Sequence, residues 1–439
     1  LPIYRTLAGP EEIRWVARTM REKRLPCDAL IYLGTDFTPS GWNTHNGEFT
    51  WHPRNFPDPR GMIGELHDQH FKVVLHTVLE GRKLTGTVSD ACTAAPLPSG
   101  RTPDGKWPDD REVACYWPVH KSLYDAGIDG WWPDQGDGLD TPSRLARIRM
   151  YAEGSRQLRP NQRVFALHRN GHAGMQRYAG FLWSGDVYST WETLRVHVPI
   201  AVNTGLTGIP WWGTDIGGFV PTKEYTGELH VRWFQFGAFC PLFRAHGRTW
   251  HLRLPWGWNT GELGHNEIAN YTGGAANPEP SELHNPEVEP ICKQYLELRY
   301  RMMPYWYSAA RETHETGLPM MRALWLHYPD DPAAVSRGDG GPLSAHDLRR
   351  MQAYASNLAD YHLGHHQRRN DKSLLLLRTI QAPKVSHLSQ SAGAPQRKIV
   401  PLKTSSSSGR KVGLKRRGRN PKERSLDYSR YESCQRLTD

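Results

Sequence analysis

The sequence predicts an α/β fold in which a parallel sheet closes into a (β/α) barrel. Three observations support this prediction. Strand and helix patterns alternate between residues 1 and 328, polar residues recur where predicted strands end, and no glycine-rich nucleotide-binding motif follows the first strand. An open doubly wound sheet is the alternative, but such sheets commonly carry a GxGxxG turn or a phosphate loop, and this sequence has neither.

The predicted helices begin with residues 9–26. Ile13, Val16, Ala17 and Met20 recur there at the spacing of one helical face, with acidic residues in the first turn and a proline beyond the end. Five further helices are predicted over 61–71, 118–128, 144–158, 192–206 and 291–317.

The predicted strands occupy residues 27–37, 72–80, 129–134, 164–170, 208–219 and 319–328. Four charged side chains lie at or near the carboxyl ends of these strands, namely Asp36, Asp134, Arg169 and Asp215. In a (β/α) barrel the carboxyl ends of the strands form the rim that carries catalytic residues. The pattern therefore places a candidate site at that rim.

The positive charge of the chain is concentrated at one end. The whole chain of 439 residues has a net charge of +10, but residues 340–439 carry 20 Lys and Arg against 7 Asp and Glu. The same segment has no Trp, whereas the preceding residues hold all 17. We therefore predict a catalytic barrel over 1–338 and a disordered basic tail over 339–439. Nucleic-acid binding by the tail is an alternative, but blocks of like charge are usually solvated, and no nucleic-acid partner is expected.

Metal and membrane functions are not indicated by the sequence. The six cysteines form no CxxC pattern, and no HExxH or HxH cluster joins the 21 histidines. We therefore expect neither a metal nor a cofactor. No run of about 18 apolar residues occurs, so no membrane span is expected.

The stretch DGWWPDQGDGLD places Asp134 directly behind two tryptophans and a proline. A carboxylate at the end of such a strand is held rigidly and is partly desolvated, which suits a nucleophile that attacks the anomeric carbon of a sugar. A helix-capping role is the alternative, but Asp140 and Thr141 are better placed to cap the next helix.

The stretch LWSGDVYSTW places Asp186 among indoles without a basic neighbour in sequence. An acid in an apolar setting has a raised pKa, as a general acid requires. Capping of the next helix is the alternative, but Ser189 or Thr190 fits that role better. Farther along the chain, Asp215 in GTDIGGF, and Arg244 and His246 in FRAHG, are candidates to bind sugar hydroxyls.

Four ordered stretches resemble glycoside hydrolase family 31, which contains α-glucosidases and α-xylosidases. They are GWWPDQGD, LHRNGHAGMQRYAGFLWSGD, LTGIPWWGTDIGGF and VRWFQFGAFCPLFRAHG. The resemblance implies a (β/α)8 TIM barrel, here lacking part of the first strand, and a retaining mechanism without a cofactor. It makes an oligosaccharide or α-glycoside the expected substrate.

The resemblance also implies roles for individual residues. Asp134 matches the nucleophile and Asp186 the general acid/base, while Arg169 matches an arginine that binds sugar hydroxyls near the nucleophile. The walls and hydroxyl-binding groups of the sugar subsite would be Asp36, Trp132, Trp183, Asp215, Phe219 and His246.

The motif after the nucleophile differs from the family pattern. Gln135, Gly136 and Asp137 stand where the family has Met, Asn and Glu, which bears on substrate preference and not on the reaction. Hydrolysis of α-glucosides is the predicted function. An α-xylosidase and a catalytically inactive sugar-binding fragment are the alternatives.

Overall fold

The computed structural model describes residues 3–4, 10–33, 42, 49–78, 117–135, 137, 141–264, 273–327 and 329–330. Within these ranges eight strands form one parallel sheet, and their order in the sheet is their order along the chain. The predicted tail over 339–439 lies outside the described residues, and so does Asp36.

The strands are short, and each pairs in parallel with the next. They are β1 Ile3–Tyr4, β2 Ala29–Tyr32, β3 Lys72–Val78, β4 Gly130–Asp134, β5 Ala166–His168, β6 Gly180–Trp183, β7 Trp212–Asp215 and β8 Leu242–Arg244. The first strand consists of two residues, with Ile3 aligned to Ile31 and Tyr4 to Tyr32.

The helices lie between the strands and after them. They are α1 Pro10–Glu22, α2 Pro59–Asp68, α3 Pro118–Ala126, α4 Thr141–Leu158, α5 Trp191–Leu206, α6 Gly227–Gly237, α7 Gly257–Thr260, α8 Val288–Arg301 and α9 Met303–Thr316. The four apolar residues predicted for one face of α1 are all buried. The predicted capping of α5 is also found, because the Thr190 side chain accepts a hydrogen bond from the Thr193 backbone N–H.

The sheet is curled so that its strands face one another across an interior. In a flat sheet β4 and β8 would lie about 19 Å apart, because neighbouring strands are about 4.8 Å apart. Instead, the Arg244 guanidinium carbon of β8 lies 4.7 Å from the ring centroid of Trp132 on β4. The parallel order and this curvature confirm a (β/α) barrel and exclude the open doubly wound sheet.

Two apolar cores lie on the two faces of the sheet. A small inner cluster fills the barrel with one residue from most strands, namely Ile31, Leu33, Val74, Trp132, Leu167, Trp183 and Leu242. A much larger cluster packs the outer face of the strands against the helices. Trp131 and Trp132 therefore have different environments, since adjacent residues of a strand point to opposite faces.

Two predicted elements are wrong. The single helix over 291–317 is two helices, because Pro304 near the start of α9 cannot donate to the carbonyl four residues earlier. The strand predicted over 319–328 is not found in its described part, 319–327, which is an irregular segment with a bend followed by a 3₁₀ helix, Leu324–Leu326. Buried Arg322 donates to the Pro319 carbonyl and pairs with Glu312, so local hydrogen bonds replace a strand ladder there.

Five elements were not predicted: the two-residue β1, the strands β6 and β8, the helix α6 and the four-residue α7. The strands β6 and β8 have four and three residues, too few to show an alternating pattern. In α6 nearly every residue is buried, so no polar face marks it as a helix. Within the described ranges, no helix is both long and apolar enough to cross a bilayer.

Trp131 provides a test of the outer core. Its side chain is fully buried and its ring contacts those of His120, Tyr124 and Tyr151. We expect Trp131→Ala to lower the free energy of unfolding by about 3–5 kcal/mol, since it removes a buried ring and leaves a cavity. Trp191, which is 39% exposed, is the matched control. Trp191→Ala should change the free energy of unfolding by less than about 1 kcal/mol. Equal urea midpoints for the two variants would contradict this packing.

Candidate active site

The predicted site residues that the structure describes lie together at the carboxyl edge of the barrel. Asp134, Asp215 and Arg244 end β4, β7 and β8, and Arg169 directly follows β5. Asp186 lies in the loop after β6. Parallel strands bring these ends to the same rim, so residues far apart in sequence become neighbours.

The Asp134 carboxylate is held by three groups. Its Oδ1 accepts the Gln135 backbone N–H at 2.7 Å and lies 3.5 Å from Arg169 Nη1, while its Oδ2 lies 3.1 Å from His76 Nε2. Burial alone would raise the pKa of Asp134. The hydrogen bond and charge of His76, the charge of Arg169 and the Gln135 N–H outweigh burial, and the pKa lies well below its usual range. Asp134 is therefore ionised at neutral pH.

The backbone that follows Asp134 is strained and fixed in place. Gln135 has a φ of 54°, which is uncommon for a residue other than glycine and is found at functional sites. Buried Arg147, on α4, donates from Nη2 to the carbonyls of Pro133, Asp134 and Gln135 at 2.9–3.2 Å. The Asn170 side chain also donates to the Gln135 carbonyl, at 3.1 Å.

Arg169 joins the two candidate catalytic acids. The same nitrogen, Nη1, lies 3.5 Å from Asp134 Oδ1 and 3.4 Å from Asp186 Oδ1. These two carboxylate oxygens can therefore be no more than about 7 Å apart. On its other side the Arg169 Nε lies 3.1 Å from Asp137, which also accepts from Asn170 at 3.0 Å. The guanidinium is thus held from both sides.

Asp186 has a different electrostatic setting from Asp134. Burial raises the pKa of Asp186, and the nearby negative charge of Asp134 raises it further, while Arg169 and Arg248 oppose this rise. The net effect is a pKa above the ordinary aspartate value. Its side chain is 30% exposed, against 14% for Asp134, so Asp186 is the more accessible of the two acids.

The walls next to these acids are aromatic. Trp132 packs edge-on against Trp183 and against His246, and the Phe219 ring centroid lies 5.1 Å from that of His246. The Arg244 guanidinium carbon lies 4.7 Å from both indole rings, and the guanidinium forms a fully buried ion pair with Asp215. Burial raises the pKa of Asp215 to about 6 despite the opposing charge of Arg244.

Several polar atoms of this wall have no hydrogen-bond partner among the described residues. They are the indole nitrogens of Trp132 and Trp183, Nε and Nη1 of Arg244, and Oδ2 of Asp215. Buried polar groups are nearly always paired, and leaving one unpaired costs about 1–3 kcal/mol. The wall therefore offers donors and an acceptor to a polar ligand.

No group of three His, Cys, Asp or Glu side chains suited to a metal ion occurs in the part of the chain that the structure describes.

A family model described as the glycosyl hydrolases family 31 TIM-barrel domain matches residues 4–309. The chain belongs to glycoside hydrolase family 31. This confirms the resemblance that the four ordered sequence motifs indicated.

Two curated relatives are similar over much of the barrel. An α-xylosidase of Saccharolobus solfataricus is 31% identical over 350 residues, which cover 73% of this chain and 43% of the relative. An α-glucosidase 2 of Bacillus thermoamyloliquefaciens is 30% identical over 376 residues, which cover 73% of this chain and 42% of the relative. The chain thus spans less than half the length of these family 31 relatives.

Solved family 31 structures are similar in fold. A dextranase of Flavobacterium johnsoniae in complex with glucose has a TM-score of 0.59 and 25% identity, covering 76% of this chain and 43% of that one. An α-xylosidase from a soil metagenome in complex with xylose has a TM-score of 0.60 and 25% identity, and the match covers 78% of this chain and 54% of that one.

Sequence reasoning missed His76 and Arg147, which contact Asp134 and its backbone. His76 had a detectable signal, because it continues the alternation of Val74 on a strand that ends near the rim. Arg147 had none, since an arginine on a helix beside other arginines usually faces solvent.

The buried Asp215–Arg244 pair can be tested by removing its cation. We expect Arg244→Met to lower the free energy of unfolding by about 3–5 kcal/mol, because it leaves a buried carboxylate without its partner. The control is Arg311→Met, which removes an exposed pair with Glu315 and should cost less than about 1 kcal/mol.

The same variant should respond to pH in a defined direction. Without Arg244, which lowers it, the pKa of Asp215 rises farther above the unfolded value of about 4. The folded state then binds a proton more tightly than the unfolded state, so acidification stabilises the variant. In urea titrations, we expect Arg244→Met to lower the free energy of unfolding by less at pH 5 than at pH 8. An equal loss at both values would contradict this.

Proposed function

We propose that this barrel hydrolyses α-glucosides with retention of configuration, with Asp134 as nucleophile and Asp186 as general acid/base. The observation that carries the proposal is the sharing of one Arg169 nitrogen by two carboxylates whose pKa values are displaced in opposite directions. Pairs of acids held in different protonation states are the usual machinery of glycoside hydrolysis.

In the first step the ionised Asp134 forms a bond to the anomeric carbon while the glycosidic bond breaks. Asp186 in its protonated form, which burial favours by raising its pKa, gives its proton to the departing oxygen. The products of this step are a free alcohol and a glycosyl ester of Asp134.

In the second step Asp186, now ionised, takes a proton from a water molecule that attacks the same carbon. The ester bond breaks and Asp134 leaves as a carboxylate. Two inversions at one carbon give net retention.

The spacing of the acids supports retention over inversion. Retaining enzymes hold their carboxyl groups about 5–5.5 Å apart, whereas inverting enzymes hold them about 6.5–9.5 Å apart to admit a water. The bound of about 7 Å that Arg169 sets on the distance between the two Oδ1 atoms is compatible with the first range and reaches only the short end of the second.

The aromatic wall supports a sugar ring as the ligand. Indoles offer flat apolar surfaces for the carbon face of a sugar, and the unpartnered atoms of Trp132, Trp183, Arg244 and Asp215 offer partners for its hydroxyls. Arg169, Phe219 and His246 would complete this wall. Asp36 lies outside the described residues and stays a predicted member of the subsite.

Two alternatives remain open to experiment. Relatives named α-xylosidase and α-glucosidase are almost equally similar to this chain, so α-xylosides are the second substrate class. Because the chain spans less than half of those relatives, it is also a candidate for an inactive sugar-binding fragment. Comparison of kcat/KM for 4-nitrophenyl α-glucoside and α-xyloside addresses the first alternative. Binding of both without release of 4-nitrophenol would favour the second.

The assignment of the two acids can be tested with azide. Asp186→Ala should slow hydrolysis of 4-nitrophenyl α-glucoside by about 10²–10⁴-fold. Added azide should restore turnover and yield an α-glucosyl azide, because azide attacks the ester without a general base. Asp134→Ala should abolish turnover and give no α-azide. Asp125→Ala, on the exposed surface of α3, is the control and should match the unchanged protein. Equal rates for Asp134→Ala and Asp125→Ala would overturn the proposal.

The pH dependence of kcat/KM should be bell-shaped, with limbs displaced from the pKa of an ordinary aspartate. Activity needs Asp134 ionised, so the acid limb should lie below the range of an ordinary aspartate because its pKa is lowered. Activity also needs Asp186 protonated, so the basic limb follows its raised pKa. With an activated aryl substrate, Asp186→Ala should lose the basic limb and keep the acid limb. A basic limb unchanged in Asp186→Ala would assign the proton donor elsewhere.

A further inference from the structure

A histidine on the inner face of the barrel contacts the proposed nucleophile. His76 lies on β3 and is 1% exposed. Its Nε2 is 3.1 Å from Oδ2 of Asp134, the oxygen that neither Gln135 nor Arg169 contacts in the pairs described above. A carboxylate can only accept hydrogen bonds, so His76 Nε2 carries the hydrogen in this contact.

The position of His76 is fixed by its neighbours. Its ring centroid lies 4.1 Å from that of Trp132, with which it is in register on the adjacent strand. Its backbone carbonyl accepts the Trp42 indole N–H at 2.8 Å. A donor held on a strand in this way can orient a carboxylate within narrow limits.

The charge on Asp134 changes twice in the proposed reaction. It disappears when the glycosyl ester forms and returns when water breaks the ester. A donor to Oδ2 favours the charged state, so it stabilises Asp134 as the leaving group of the second step. The same donor gives little help to the first step at neutral pH, because Asp134 is already ionised there.

We propose that His76 is a positioning residue that orients Asp134 and accelerates the release of its carboxylate from the glycosyl-enzyme. The inference rests on the proposed function, in which Asp134 is the nucleophile. It adds a specific role in the second chemical step to a side chain that the sequence analysis did not select.

Other charged groups face Asp134 and must stay constant in any test. Among the described residues they are Arg169 after β5, Asp186 after β6, and Arg147 of α4, which contacts the backbone carbonyl. Asp137 contacts Arg169 and Asn170, which in turn contact Asp134 and the Gln135 carbonyl. Substitution at His76 leaves all of these side chains in place.

The test compares two amides that differ by one methylene. Gln at position 76 can present an N–H near the place of His76 Nε2, whereas the shorter Asn cannot reach Oδ2. We expect His76→Asn to lower kcat for 4-nitrophenyl α-glucoside by about 10- to 100-fold, the loss typical of a hydrogen bond to a charged group. His76→Gln should recover most of this loss. The control is His314→Gln, because His314 is an exposed residue of α9 and its substitution should leave kcat unchanged.

Pre-steady-state kinetics isolate the second step. In His76→Asn the glycosyl-enzyme should accumulate, giving a burst of 4-nitrophenol, a lower KM, and a smaller fall in kcat/KM than in kcat. The acid limb of kcat/KM should also move to higher pH, because His76 lowers the pKa of Asp134. The burst amplitude reports the folded, active fraction, so a loss of folding is not mistaken for a loss of rate.

Four outcomes are decisive. A His76→Asn variant with unchanged kcat and an unchanged acid limb would overturn the role of His76, as would equal falls in kcat and kcat/KM without a burst. Lower kcat with a burst, restored in His76→Gln, would support it. Absence of hydrolysis by the unsubstituted protein would instead overturn the proposed function itself.

Discussion

The arrangement of the rim depends on one guanidinium between two carboxylates. Two acids within about 7 Å in a partly buried site repel each other, and each also loses hydration. Arg169 offsets the repulsion for both through the same nitrogen. The asymmetry comes from the other contacts, because Asp134 also has His76 and the Gln135 N–H, whereas burial and the neighbouring charge dominate at Asp186. A single shared cation therefore permits two different protonation states.

The curvature of the sheet forms the aromatic wall beside the two acids and Arg169. Because β8 curls round to β4, Arg244 lies against both Trp132 and Trp183, and its pair with Asp215 is fully buried. Such a pair adds little net stability compared with apolar residues, but it fixes orientation once formed. Several polar atoms of the wall have no partner within the described ranges, and this cost in stability is the expected one for a surface that is complementary to a ligand and not to itself.

Most of the fold was predictable where the elements were long enough to show a period. The buried face of α1 and the strands β3 and β4 follow directly from residue spacing. The strands β6 and β8 were missed although β5 and β7 are equally short, because β6 follows a 3₁₀ helix and β8 follows the largely buried α6, neither of which the sequence predicted. The long C-terminal helix was wrong because Pro304 divides it. The acids of the candidate site were selected from their apolar neighbours in sequence. His76 was not, because its partner lies on another strand, and a single polar residue in an apolar run does not identify that partner.

Asp134 is held from two sides of the barrel wall, which explains how the strained backbone after it can persist. A φ of 54° at Gln135 costs on the order of 1–3 kcal/mol and needs compensation. From outside the barrel, Arg147 donates to three successive carbonyls around Asp134, so that the chain cannot relax without losing several charge-assisted hydrogen bonds. From inside, His76 holds the carboxylate itself. The Gln135 N–H in the same strained segment donates to Oδ1, so the backbone that Arg147 holds also supplies one of the hydrogen bonds that keep Asp134 ionised.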